Sequence, residues 1–142
     1  MRQLTDHIVE GDSVNHQLVV TVMDEPGHGG ACHRYLISGF NLKTNPALSE
    51  TEGDSIGNEE FASPDSGCII FQNGPIKEVG VNGITHESLL AILIDRLEGF
   101  QSGPYACEDN ALALMQLKLA LRNLQARTMR RIERGVEGTH EK

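Results

Sequence analysis

The sequence predicts an α+β protein: an N-terminal antiparallel β portion followed by a C-terminal antiparallel helical hairpin, assembled as a homo-oligomer. Three observations predict it. β-branched and apolar runs separated by glycine-rich turns fill the first half, and after residue 84 the apolar spacing changes from two to about 3.6. Aromatic residues make up only 4% of the 142 residues and tryptophan is absent, so a monomer would bury little large side-chain surface and subunit interfaces are expected to supply the rest. This length is one domain's worth of chain. It divides into a β-rich portion, residues 1–72, with an acidic loop at about 41–67, and a helical-hairpin portion, residues 73–142.

In order along the chain, "HQLVVTVM" (His16 to Met23) and "CHRYLISGF" (Cys32 to Phe40) read as two strands of a hairpin. Their connection, "DEPGHGG", is a turn built from Pro26, Gly27, Gly29 and Gly30. From Asn41 to Gly67 the chain is polar, acidic and broken by Gly and Pro, which is long for a loop in a compact domain and suits an excursion or a lid over a site. "CIIFQ" (Cys68 to Gln72) supplies a third strand. Thr85 then stands at an N-cap position, Glu87 favours the first turn, and Leu89, Leu90, Leu93 and Leu97 share one side of a helix that Gly99 is expected to end. The link "FQSGPY" is short, so the next helix returns antiparallel, with Pro104 as a natural first helical residue and Glu108 and Asp109 near the positive end of its dipole. That helix runs roughly from Tyr105 to Arg134, where "RGVEG" stops it. Leu114, Leu117, Leu121, Leu124, Thr128 and Ile132 fall within an arc of about 80° and form its core or partner-facing stripe.

Composition excludes several functional classes. Twenty acidic residues against twelve basic ones give a net charge of −8, which opposes a general coating of DNA or RNA. No apolar run approaches the roughly 20 residues of a membrane span, and nothing at the N-terminus resembles a secretion signal, so the chain reads as soluble and cytosolic. Cys32, Cys68 and Cys107 form no C-x-x-C pair and read as buried thiols, not as a disulfide framework. "HGGACH" brings His28, Cys32 and His33 near one another without a fourth ligand, so no metal is expected. No cofactor is expected either. The histidines are scattered, no serine or cysteine sits in a nucleophile elbow, and no catalytic residue is assigned.

Charge is unevenly distributed. Between Lys118 and Arg134 six basic residues face one acid, Glu133, in an otherwise acidic chain. A confined cationic site of this kind suits a compact anion better than a long polyanion. Arg127, Arg131 and Arg134 occupy an arc of about 60° beside the apolar stripe, and their planar forks can converge on a diphosphate. The competing reading is that basic residues in a last helical turn satisfy its orphan carbonyls. Phe100, in the inter-helix link, offers a stacking surface for a base, and Asn110 an amide for a base edge or a ribose hydroxyl. Helix rise separates these two from the arginines by about 25 to 30 Å, so one ligand can meet both sets only between subunits. A second candidate anion site is the turn Lys77, Gly80, Asn82, Gly83 and Thr85 ahead of a helix N-terminus, although an ordinary strand-to-helix turn explains the same residues.

The stretch from Phe71 to Thr139, with "FQNGPI…GVNGIT…E…LL…DRL…F" followed by "N…R…R…RGVEG", resembles the helical hairpin shared by two families of phage-encoded nucleotide sponges. These are the anti-Thoeris sponges, which sequester glyco-cyclic ADP-ribose signals, and the smaller anti-CBASS sponges, which sequester cyclic oligonucleotides. "GGACHRYLISGF" is similar to the N-terminal portion of the anti-Thoeris type. The resemblance implies a non-enzymatic protein of the host cytoplasm that binds cyclic ADP-ribose isomers between protomers and releases them unaltered. Phe100, Asn110, Arg127 and Arg131 match its binding positions, and Arg134 is a possible additional contact. Members are dimers or hexamers, and hexamers carry further pockets for cyclic di- or trinucleotides, for which Lys77, Gly80, Asn82, Gly83 and Thr85 are the candidates here. The acidic insert from about Glu50 to Asp65 has no counterpart in that pattern. Three rivals remain: an enzyme degrading the same messenger, a small nucleic-acid-binding regulator using the basic helix, and an interaction protein whose arginines face an acidic partner.

Overall fold

In the computed structural model, which describes residues 1–48 and 65–141, the chain forms two compact units, Met1–Ile70 and Phe71–Lys142. The first is a four-stranded antiparallel sheet in the order β1 (Arg2–Leu4), β2 (Val19–Val22), β3 (Arg34–Ser38), β4 (Ser66–Ile70). The predicted hairpin is β2–β3, with Val22 opposite Tyr35, and its glycine-rich turn contains a short 3-10 segment at His28–Gly30. The edge strand β1 was not anticipated, because three residues, "RQL", are too few to show an alternating pattern. The third strand lies at Ser66–Ile70 and not at Cys68–Gln72: Phe71 instead makes an isolated bridge to Ile84 in the second unit.

The sheet's packing centres on Val22, 1% exposed on the interior strand β2. Beside it, the Asp24 carboxylate accepts bonds from the backbone N–H groups of His33 (2.8 Å) and Arg34 (3.0 Å), closing the mouth of the hairpin. The His33 bond first, with the Arg34 bond and the nearby His33 ring adding to it, outweighs desolvation and holds the Asp24 carboxyl below the usual carboxylate range. Asn41–Leu48, the start of the acidic loop, forms two short 3-10 turns, Leu42–Thr44 and Pro46–Leu48. The excursion or lid expected of the rest of that loop falls on residues 49–64, outside the described residues.

The second unit is built from α1 (Ile76–Val79), α2 (His86–Gln101) and α3 (Glu108–Glu133). The four-residue α1 was missed because Pro75 and Gly80 bracket it so closely that the segment reads as a turn. Thr85 caps α2 as expected: its Oγ accepts from the Ser88 N–H, and the Thr85 N–H donates to Ser88 Oγ, each at 3.1 Å. Gly99 does not end the helix. Glycine can hold helical dihedrals, and the stop comes at Ser102, whose N–H bonds back to Glu98 and Gly99. Pro104 correspondingly lies in the link, and Cys107 is the N-cap of α3. The end of α3 agrees with "RGVEG" as a stop signal: Gly135 takes φ 71°, its N–H bonds to Ile132 O, and the Val136 N–H bonds to Arg131 O.

α3 has 26 residues against 16 in α2, so paired at the link end, its C-terminal part overhangs. This explains two departures from the expected stripes. Ile132 is 52% exposed because it lies beyond the reach of α2, and Leu93, 46% exposed, lines an open apolar groove with His86, Leu89, Leu90 and Leu124, while Ile94 is half-buried in its stead. Leu114, Leu117, Leu121, Leu124 and Thr128 are half-buried along α3, yet neither long helix has a buried residue. The cysteines also differ from expectation: all three are free thiols, Cys32 half-buried and Cys68 and Cys107 exposed, because Cys68 lies on the edge strand β4 and Cys107 at a helix start.

Candidate functional site

The helical unit carries two clusters at opposite ends of α3. At the link end, extension of α2 through Gln101 places Phe100 in the last helical turn, not in the link. Gln101 organises the link: its Nε2 donates to Cys107 O (3.1 Å) and its Oε1 accepts from the Cys107 N–H (3.0 Å). This pairing folds the chain so that Tyr105 meets Phe100 edge to face, with ring centroids 6.4 Å apart. Asn110, in the first turn of α3, donates from Nδ2 to Tyr105 O at 3.5 Å, and its backbone N–H is accepted by Cys107 Sγ. Arg96, one turn before Phe100, holds its guanidinium carbon 5.2 Å from the Phe100 ring centroid. Phe100 and Asn110, singled out in the sequence, thus belong to one tip cluster, to which the structure adds Arg96 and Tyr105. The i, i+4 spacing of Arg96 and Phe100 was the available signal.

At the other end the arginines are not equivalent. Among the described residues no hydrogen bond or ion pair engages the Arg127 side chain, which is exposed. Arg131 is held. Its Nε donates to Glu137 Oε2 (3.0 Å), one terminal nitrogen to Glu141 O (2.6 Å), and the other to Val136 O (3.0 Å) and Thr139 O (3.2 Å). Four of its five N–H donors therefore serve the chain's own C-terminal turn. The same turn packs on α1, where Lys77 N–H donates to Gly138 O (3.2 Å) and the His140 ring lies 3.2 Å from Glu78 Oε2. Arg134 is exposed and is the C-cap of α3. Asn110 and Arg127 lie on one uninterrupted helix, about 25 Å apart along its axis. A single chain does not bring the two clusters together.

The residues of the second candidate site share one neighbourhood, and several of their donors are already engaged. Asn82 accepts from the Asn73 N–H (2.9 Å), donates from Nδ2 to Asn73 O (2.7 Å), and gives its N–H to Gln72 Oε1 (2.9 Å). Gly80 O accepts from Gln72 Nε2 at 2.8 Å. Gly83 is required by close backbone approach, since a Cβ there would stand 2.4 Å from the Phe71 carbonyl carbon. The Thr85 hydroxyl caps α2, and among the described residues no bond or ion pair holds the Lys77 ammonium. No group of three or more His, Cys, Asp or Glu side chains able to hold a metal occurs among the described residues. No helix among them is long and apolar enough to cross a membrane.

Residues 67–128 match the family model of the "Acb2/Tad1, hairpin domain", a span that takes in the link-end cluster and Arg127 but ends before Arg131. A curated relative from Bacillus phage SBSphiJ7, Thoeris anti-defense 1, is 50% identical over 74 residues, which is 52% of this chain and 52% of that protein. The matched segment therefore spans about half the length of the relative.

Proposed function

We propose that the chain is a member of the anti-Thoeris family that carries the Acb2/Tad1 hairpin, and that it is a phage anti-defence protein of the host cytoplasm. In this reading it binds cyclic ADP-ribose isomers stoichiometrically, without cleaving them, and so starves an immune effector of its signal. The observation that carries the reading is the layout of α3: an aromatic and amide cluster at one end, and an exposed, unengaged arginine at the other. A base and a diphosphate need both chemistries, and a neighbouring antiparallel protomer would set one chain's tip beside another's basic end.

The exposed apolar surface supports such an assembly. Ile92, Leu93, Leu112, Met115, Leu119, Met129 and Ile132 are each at least 45% exposed, which is costly for a hairpin standing alone in water. A homo-oligomer, dimer or hexamer, would cover them. Phe100 would stack the adenine, Asn110 would fix a base edge or ribose hydroxyl, and Arg127 would supply the principal phosphate fork. Arg131 would add its remaining N–H while holding the C-terminal turn that shapes the pocket, with Arg134 as an outer contact. Cyclic di- or trinucleotides would occupy a separate pocket at Lys77, Gly80, Asn82, Gly83 and Thr85, where the unengaged Lys77 ammonium is the feature that favours an anion.

The test is to incubate the purified protein with a panel of cyclic nucleotides, remove excess, denature by heat, and identify what is released by mass spectrometry beside a native mass of the assembly. Intact cyclic ADP-ribose from an oligomer is the expected result. A hydrolysed product would replace sequestration with degradation, and a monomer that retains nothing would end the proposal.

A further inference from the structure

We infer that Arg96 is an additional ligand-binding cation at the link-end tip, making that end of the site selective for a charged purine nucleotide over the uncharged nucleoside. The inference rests on the reading that the tip receives the purine. Arg96 and Phe100 lie one turn apart on α2, which places both on the same face of the helix. The guanidinium carbon sits 5.2 Å from the ring centroid, so one face of Phe100 is already covered by a cation. Phe100 keeps 38% of its surface exposed, and Tyr105, 74% exposed, meets it at an interplanar angle of 76°. A base arriving at the tip is thereby offered a single ring face bounded by a phenol, with the Asn110 amide bonded to the Tyr105 carbonyl at 3.5 Å.

Charge completes the argument. Among the described residues no carboxylate pairs with Arg96 and no acceptor takes its N–H donors, so the guanidinium rests on the ring with its donors unused. Lys118, the nearby basic residue on α3, is by contrast neutralised by Glu98 at 2.8 Å. Among the described residues Arg96 is therefore a positive charge at the aromatic end without an ion-pair partner. From beside that ring the long Arg96 side chain can swing round the ring edge toward a phosphate attached to the stacked base, and its planar fork fits a phosphate in two-point fashion.

The experiment is calorimetric titration of the intact protein with cyclic ADP-ribose at low and high salt, and with adenosine as the uncharged probe. Wild type is compared with Arg96→Ala, Arg96→Gln, Arg96→Lys and Phe100→Ala. Loss of the Arg96 charge is expected to weaken cyclic ADP-ribose about tenfold and to flatten the salt dependence by about one ionic contact, leaving adenosine unchanged. Arg96→Lys should restore the salt dependence but only part of the affinity. Arg96→Gln keeps the length of the side chain without its charge and decides the matter should Arg96→Ala perturb the helix. Wild-type affinity and salt dependence in Arg96→Gln, with binding lost in Phe100→Ala, would overturn this inference alone. Absence of cyclic ADP-ribose binding by the wild-type protein would instead overturn the function on which it rests.

Discussion

The two ends of the helical hairpin hold arginines in opposite conditions. At the link end Arg96 lies over an aromatic ring with no carboxylate partner among the described residues, in a cluster of exposed and half-buried side chains joined by an edge contact and one long hydrogen bond. At the far end Arg131 is 20% exposed and is bonded to Glu137 and three backbone carbonyls, while Arg127, one turn earlier, is engaged by nothing among the described residues. The difference teaches that a cluster of arginines is not one functional unit. A guanidinium whose donors are mostly taken by its own chain stabilises the fold, and one whose donors are unengaged is available to an anion.

The sharpest way to break this comparison is Arg131→Ala. It leaves carbonyls of the C-terminal turn without donors and should cost roughly 2–4 kcal/mol of unfolding free energy, read as a clear fall in Tm. An unchanged melting curve would mean that the turn does not depend on Arg131. Arg127→Ala should show the reverse pattern: a Tm within experimental scatter of wild type, and capture of cyclic ADP-ribose weakened roughly 10- to 100-fold by calorimetry, as expected for a charged hydrogen-bonding group lost from a ligand. If that variant bound normally, the phosphate would have to be met elsewhere. The smallest effect is expected of Thr85→Ala, which removes the N-cap of α2 and should lower stability by about 1 kcal/mol in chemical denaturation. A cost near zero would show the Ser88 side of the reciprocal cap to be sufficient.

Much of this was legible from local patterns. Thr85 as a cap, "RGVEG" as a stop and the β2–β3 hairpin each follow from a few neighbouring residues whose dihedral or hydrogen-bonding demands are strong. Phe100 and Asn110 were likewise visible as an aromatic and an amide near the link. The link boundaries were not legible, because Gly99 and Pro104 are permissive signals, and what decided the ends was the Gln101 side chain pairing with Cys107 six residues away. Nor could spacing alone separate Arg127 from Arg131. The partner that distinguishes them, Glu137 together with the carbonyls of the final turn, lies where the chain doubles back after Gly135.

Sequence alone determined the β2–β3 hairpin, the order of the two long helices, the Thr85 cap, the stop at "RGVEG" and the confinement of positive charge to one stretch, since these depend on backbone preference and composition within a few residues. Only the tertiary structure decided which arginine is spent on the fold, that Arg96 covers the Phe100 ring, and how far α3 overhangs α2. Those outcomes turn on which donors find acceptors once distant segments meet, and hydrogen-bond saturation is a property of the folded neighbourhood, not of the residue type.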